Sequence, residues 1–178
     1  YFIYFYQVNL ANKIFNILTE KEFENLALAV FHYQYKEVKV YQQFCDLLKV
    51  NPTNVNSLNK IPFLPIQFFK SHKIIADNKK HKVVFSSSGT TGSILSKHYV
   101  HDLQLYKNGF TKTFNSFMKS SNEITILALL PNYLEREGSS LVFMVNELIK
   151  QSNNINSGFY LNDLSSLIQK IEYLENNN

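Results

Sequence analysis

A single cysteine, Cys45, in a chain of 178 residues excludes an internal disulfide and fits a reducing compartment, so the expected location is the cytoplasm. Tryptophan is missing, and the aromatic content rests on 15 Phe and 11 Tyr. Excess charge of either sign is small too. The balance of 18 Lys+Arg against 14 Asp+Glu leaves +4, which suits a small anionic ligand but gives no nucleic-acid footprint. No apolar run is long enough to span a bilayer. The opening Tyr1-Phe2-Ile3-Tyr4-Phe5-Tyr6 is short and lacks the basic start of a secretory signal, so no stable membrane insertion is expected. The chain opens on Tyr1 rather than Met, which raises the expectation of a missing start.

Familiar chemical signatures are also missing. A Walker-type loop needs Gly-x-x-x-x-Gly-Lys-Ser/Thr, yet counting from Gly89 the second glycine position holds Ile94, and from Gly92 it holds Lys97. The dinucleotide fingerprint Gly-x-Gly-x-x-Gly is absent, as are repeats and low-complexity linkers. His98 and His101 form a His-x-x-His pair with no third ligand spaced to help, so no metal site is expected. His32 and His72 stand alone, and no Ser-His-Asp set or paired carboxylates point to hydrolysis.

What is present is a run of small residues, Ser86-Ser87-Ser88-Gly89-Thr90-Thr91-Gly92-Ser93, between Val83-Val84-Phe85 and Lys97-His98-Tyr99-Val100. Such a loop brings many N–H and O–H donors close to one anion, because nothing bulky holds it away. A polyphosphate is the expected ligand, held by Ser87, Ser88, Gly89, Thr90, Thr91, Gly92 and Ser93, with Lys97 nearby. The basic cluster Lys79-Lys80-His81-Lys82 just ahead reads as a solvated turn, or as an aid in drawing phosphate in.

The rest of the pattern places this loop in an α/β fold, with a helical region over 1–78 and strand–helix alternation over 79–178. Thr19 and Glu22 form a capping box ahead of an apolar face of Phe23, Leu26, Ala27, Val30 and Phe31. A second helix turns Tyr41, Phe44, Leu47 and Leu48 inward and ends before Asn51-Pro52, with Cys45 as a small buried hydrophobe. Pro62 and Pro65 force an extended entry to a short turn carrying Phe68 and Phe69, which serve as core or as one wall of an apolar pocket.

Beyond the loop, Asp102 caps a helix with Leu103, Tyr106, Phe110, Phe114 and Phe117 on one side. The apolar run 124–130 reads as a strand buried on both faces, in a largely parallel sheet. Ser139 or Ser140 caps the next helix, 157–161 forms another strand, and Asn162 caps the last helix. Tyr133, Glu135 and Arg136 lie beyond a strand's carboxyl end, where ligands of open sheets gather. With Ser139 and Ser140 they form a candidate substrate pocket, against the plainer reading of a salt-bridged turn and two caps.

Phe85-Ser86-Ser87-Ser88-Gly89-Thr90-Thr91-Gly92 resembles the phosphate-binding signature of the adenylate-forming enzymes, although Ser93-Ile94-Leu95-Ser96 stand before Lys97 where that signature continues x-Pro-Lys. Three stretches narrow the resemblance to the acyl-protein synthetases, the LuxE-like relatives of those enzymes. They are Phe31-His32-Tyr33-Gln34-Tyr35, the segment 61–70 and the segment 128–142, with Ser157-Gly158-Phe159-Tyr160-Leu161 similar as well. The likeness runs over roughly residues 26–165.

It implies a partial adenylate-forming (acyl-CoA synthetase-like) domain that uses ATP and Mg²⁺ to convert a long-chain fatty acid to an acyl-adenylate. The acyl group then passes to a protein thiol, with an acyl-reductase as possible partner and a link to bioluminescence. It also implies adenine- and ribose-contacting segments and an acyl-accepting cysteine beyond residue 178, so that Cys45 does not inherit that role and the chain is an N-terminal part, inactive alone. An acyl- or aryl-CoA ligase of lipid or polysaccharide assembly, or a non-catalytic remnant of the scaffold, is the alternative.

Overall fold

The structure, a computed structural model, describes residues 10–88, 94–118, 120–132 and 136–177. It is a mixed α/β chain that begins with helices and then alternates strands with helices, as its pattern predicts. Contacts divide it into two compact units, Tyr1–Leu105 and Tyr106–Asn178. Among the described residues no helix is long and apolar enough to cross a membrane.

In the first unit, helix α1 (Glu20–Glu37) starts on the predicted capping box. The Thr19 hydroxyl accepts from the Glu22 amide at 3.2 Å, and the Glu22 carboxylate accepts from the Thr19 amide at 3.1 Å. These two bonds satisfy donors that the first turn leaves without a helical partner. Helix α2 (Lys39–Leu47) follows almost at once. Its Tyr41 and Cys45, one turn apart, pack with Phe31 and Val55 into the unit's core. Cys45 is completely buried. Leu47 and Leu48 do not turn inward as expected but are 84% and 51% exposed. The helix ends at Leu47 and Lys49 turns left-handed (φ 58°), so the stripe has no further turn on which to continue.

Past the prolines the backbone makes the expected short helix α3 (Phe68–Ser71). Strands β1 (Val83–Ser86) and β2 (Lys97–Val100) then pair antiparallel, Val83 opposite Val100 and Ser86 opposite Lys97. The Asp102 carboxylate accepts from the Leu105 amide at 2.9 Å and caps α4 (Leu103–Phe117), as predicted.

In the second unit, Tyr106 and Phe110 of α4 meet Phe143 with ring centroids 6.1 and 6.4 Å apart, while Phe117 is 83% exposed instead of continuing that face. Strand β3 is only Leu127–Ala128 within the predicted run, and Leu129 is 53% exposed rather than buried. It pairs in parallel with β4 (Gly158–Phe159), Leu127 opposite Gly158. In place of the largely parallel sheet expected from the pattern, the described residues form two separate two-stranded pairs, of which one is parallel. The ten residues 87–96 that join β1 to β2 are too few for a parallel crossover, which needs about a dozen or more, so the chain folds straight back.

Between β3 and β4 lies α5 (Ser140–Ser152), started by the Ser139 hydroxyl, which accepts from the Val142 amide at 3.4 Å. Helix α6 (Leu164–Asn176) is capped by Asp163, not by Asn162 as the sequence pattern predicts. The Asp163 carboxylate accepts from the Ser166 amide at 3.0 Å and from its hydroxyl at 2.6 Å, two bonds that fix the register by one residue.

Candidate functional site

The Ser/Thr/Gly segment closes the β1–β2 hairpin. Of its predicted phosphate ligands, Ser87, Ser88 and Lys97 are described, whereas Gly89, Thr90, Thr91, Gly92 and Ser93 lie outside the described residues. Ser87 ties the neck of the loop: its amide donates to the Ser96 carbonyl at 3.0 Å, and its hydroxyl accepts from the Ser96 amide at 3.0 Å. That hydroxyl keeps its own proton to donate. Ser88 and Lys97 are exposed, and pairing opposite Ser86 sets Lys97 at the foot of the loop despite the four residues that precede it. Because β2 rather than a helix follows, no helix N-terminus lies at the loop's end. Of the predicted ligands that are described, Ser87, Ser88 and Lys97, Lys97 is the one that carries a charge.

The basic cluster serves the other end of this hairpin. The Lys82 amide donates to the Val100 carbonyl at 2.8 Å, and the His81 ring meets Tyr99 at 5.4 Å. At roughly 3.3 Å per residue, β1 separates the cluster from Ser86 by about 13 Å. It is the turn before a strand, not a near neighbour of the loop.

On the same unit, an open cavity of ≈ 860 Å³ runs from α1 to β2. Leu26, Ala27 and Val30 of α1 form one wall, and Pro62 and Leu64 of the proline segment form another. The α1 face read as core borders this space along Phe23, Leu26, Ala27, Val30 and Phe31, of which Phe31 also packs into the buried cluster. His98 and His101, an unrelated pair on sequence grounds, stand along one side. Loss of water around each ring holds both below the ordinary imidazole range, and Lys79 and Lys82 push His101 further down against the pull of Asp102. Two apolar helical positions three or four apart signal a buried face but not what it faces, so periodicity gave no notice of this cavity.

Among families of known proteins, "Acyl-protein synthetase, LuxE" matches residues 15–126, well over half of the chain. The chain belongs to the LuxE acyl-protein synthetase family. No curated protein and no solved structure is matched. The LuxE match takes in the helical pair, the proline segment and the whole hairpin with its loop, and stops short of the segments 128–142 and 157–161.

In this LuxE-family chain the second candidate group follows β3. Tyr133 and Glu135 lie outside the described residues. Arg136, the single arginine of the chain, donates its amide to the Asn132 carbonyl at 3.3 Å and is exposed. Ser139 is occupied as the cap of α5. Ser140 is hydrogen-bonded to Tyr106, whose hydroxyl burial pushes up and this bond pulls back. Both serines therefore already have partners within their own unit.

Cys45 is ruled out as an acyl acceptor. It is fully buried, and the loss of water pushes its thiol up, against a smaller lowering by Tyr41. A nucleophilic thiol needs access and a stabilised thiolate. Among the described residues no group of three or more His, Cys, Asp and Glu stands together. The hydroxyls, amides and ammonium at the loop suit a polyphosphate, whose own oxygens carry much of the coordination of a Mg²⁺ ion.

Proposed function

We propose that this LuxE-family protein acts in the ATP-dependent activation of a long-chain fatty acid for transfer to a protein thiol. The observation that carries the reading is the family match spanning a hairpin whose connecting sequence, between Ser86 and Lys97, is rich in small hydroxyl and glycine residues. A carboxylate is a poor acyl donor. In the first step its oxygen attacks the α-phosphorus of ATP, the bond to the bridging oxygen of the β-phosphate breaks, and pyrophosphate leaves with that electron pair. In the second, a thiolate attacks the acyl carbonyl and AMP leaves, so that the thiol proton is the only one lost. The thioester then serves an acyl-reductase partner.

The loop's part is electrostatic. Ser87, Ser88, Gly89, Thr90, Thr91, Gly92 and Ser93 would donate to the β- and γ-phosphate oxygens while charge accumulates on the departing pyrophosphate, with Lys97 at the loop's foot. Mg²⁺ entering on the nucleotide supplies further charge neutralisation. Arg136, with Tyr133 and Glu135, is held in reserve for the acyl or adenylate end.

Calorimetric titration with ATP·Mg²⁺ tests the reading. Saturable heat is expected from the wild-type chain and about tenfold weaker binding from Lys97→Ala, in line with the loss of one charge-assisted contact. Absence of nucleotide binding, or binding indifferent to Lys97→Ala and to Thr90→Val with Thr91→Val, would remove the loop from the proposal. Myristate-dependent pyrophosphate release that requires coenzyme A for its second step would move the acceptor from a protein thiol to CoA.

A further inference from the structure

We infer that the cavity between α1 and β2 is the binding site for the alkyl chain of a long-chain carboxylate, with its acid group at the β2 edge. The inference rests on the acid-activating reading for the identity of the ligand, and on the cavity for its place. A volume of ≈ 860 Å³ falls in the range of small-molecule pockets, which run to about 300–1,000 Å³. Most of the lining is hydrocarbon, with Leu26, Ala27 and Val30 of α1 and Pro62 and Leu64 of the proline segment among it, so water gains little by filling the space.

Polar lining groups include Tyr33 and Gln34 of α1 and Tyr41 of α2, and on the β2 side His98 and His101 stand with Lys73, whose ammonium is 5.5 Å from the centre of the Tyr99 ring. Lys79 and Lys82 add positive potential at His101, and the carboxylate present, Asp102, is engaged as the cap of α4. An apolar cleft with a basic rim complements an amphipathic anion and disfavours a neutral oil or an amine. Successive side chains of a strand point to opposite faces, so an acid group held at His98 lies on the face of β2 away from the Lys97 side chain, while the tail extends toward α1.

The test is direct binding of sodium myristate to the full chain, with myristyl alcohol and dodecylamine as controls. Saturable binding of myristate is expected, with the alcohol weaker and the amine weakest. Ala27→Phe, which places a ring into the cavity, should weaken myristate about tenfold or more by displacing methylenes. His98→Ala should narrow the preference for acid over alcohol severalfold. Should Ala27→Phe fail to fold, a myristate carrying a terminal diazirine is photolysed on the wild-type chain, and labels are expected in the peptides 23–34 or 61–64.

No saturable binding, equal binding by Ala27→Phe, or labels confined to other peptides overturns the inference. Its fate separates from that of the adenylating reading. Myristate binding lost in Ala27→Phe, with no heat from ATP·Mg²⁺, supports the cavity and removes the nucleotide. Heat from ATP·Mg²⁺ without myristate binding does the reverse.

Discussion

Cys45 shows how one residue's surroundings fix its chemistry. Its sulfur lies in the cluster of Phe31, Tyr41 and Val55, and Tyr41 is itself tied down by donating to the Pro62 carbonyl at 2.7 Å. A disulfide reagent is therefore expected to find no thiol in the folded protein and one thiol in urea. Rapid labelling under native conditions would contradict that packing. Tyr41→Phe removes one net hydrogen bond and strands a carbonyl, so urea unfolding should show a loss of about 1 kcal/mol.

Glu147 supplies a pH signature. Burial alone would push its carboxyl up, but hydrogen bonds with Lys107 at 2.5 Å and Lys150 at 3.1 Å outweigh that and hold it below the ordinary carboxylate range. Between its folded and unfolded values the unfolded chain binds more protons, so this stabilisation is present above the ordinary range and is lost as pH falls through the lowered folded value. Glu147→Gln should lower the urea midpoint at neutral pH and match the wild type in acid. A difference that persists in acid would point to packing instead of charge.

At the scale of elements, the seam of the second unit depends on a few side-chain hydroxyls. Ser157 accepts from the Ile126 amide at 3.0 Å just before β3, and its oxygen also takes the Ser152 hydroxyl at 3.1 Å. With only two residues in each strand, the ladder cannot hold the pair alone. Ser157→Ala is expected to cost about 1–2 kcal/mol in unfolding free energy, more than Thr19→Ala at the solvent-facing start of α1, which should cost about 1.

What the sequence made legible at this scale is what local chemistry decides: the Thr19–Glu22 box, the Asp102 cap, the stop before Asn51 and the two hairpin strands all stand where the pattern puts them. Partner choice was not legible. In α6, Leu167 is buried while Leu164 and Ile168 on the same apolar face are more than half exposed, because periodicity marks a face without saying what covers it. The run 124–130 misled for a related reason. Continuous apolarity promises neighbours on both sides, and among the described residues β3 pairs with β4 alone. Of the cavity, the wall made by the proline segment and Phe69 was one of two readings open in the sequence, whereas the α1 side was not legible, since the walls come from residues far apart in the chain.

For the molecule as a whole, the division into two units lies at 105/106, inside α4, and the family match crosses it. The loop, Lys97 and the cavity all belong to the first unit, whereas Arg136, Ser139 and Ser140 belong to the second. That partition turns the two candidate groups into competing forecasts for where a nucleotide acts. Hydrogen exchange with and without ATP·Mg²⁺ distinguishes them, because amides that donate to phosphate or are pinned behind it exchange more slowly. Protection is expected in the hairpin, 83–100, first at Ser87 and Ser96, whose amides already bridge the neck of the loop. Myristate added alone should slow exchange in α1 and leave the loop as it was. Protection by nucleotide confined to 124–160 would transfer the phosphate site to the second unit and leave the hairpin loop as a structural turn.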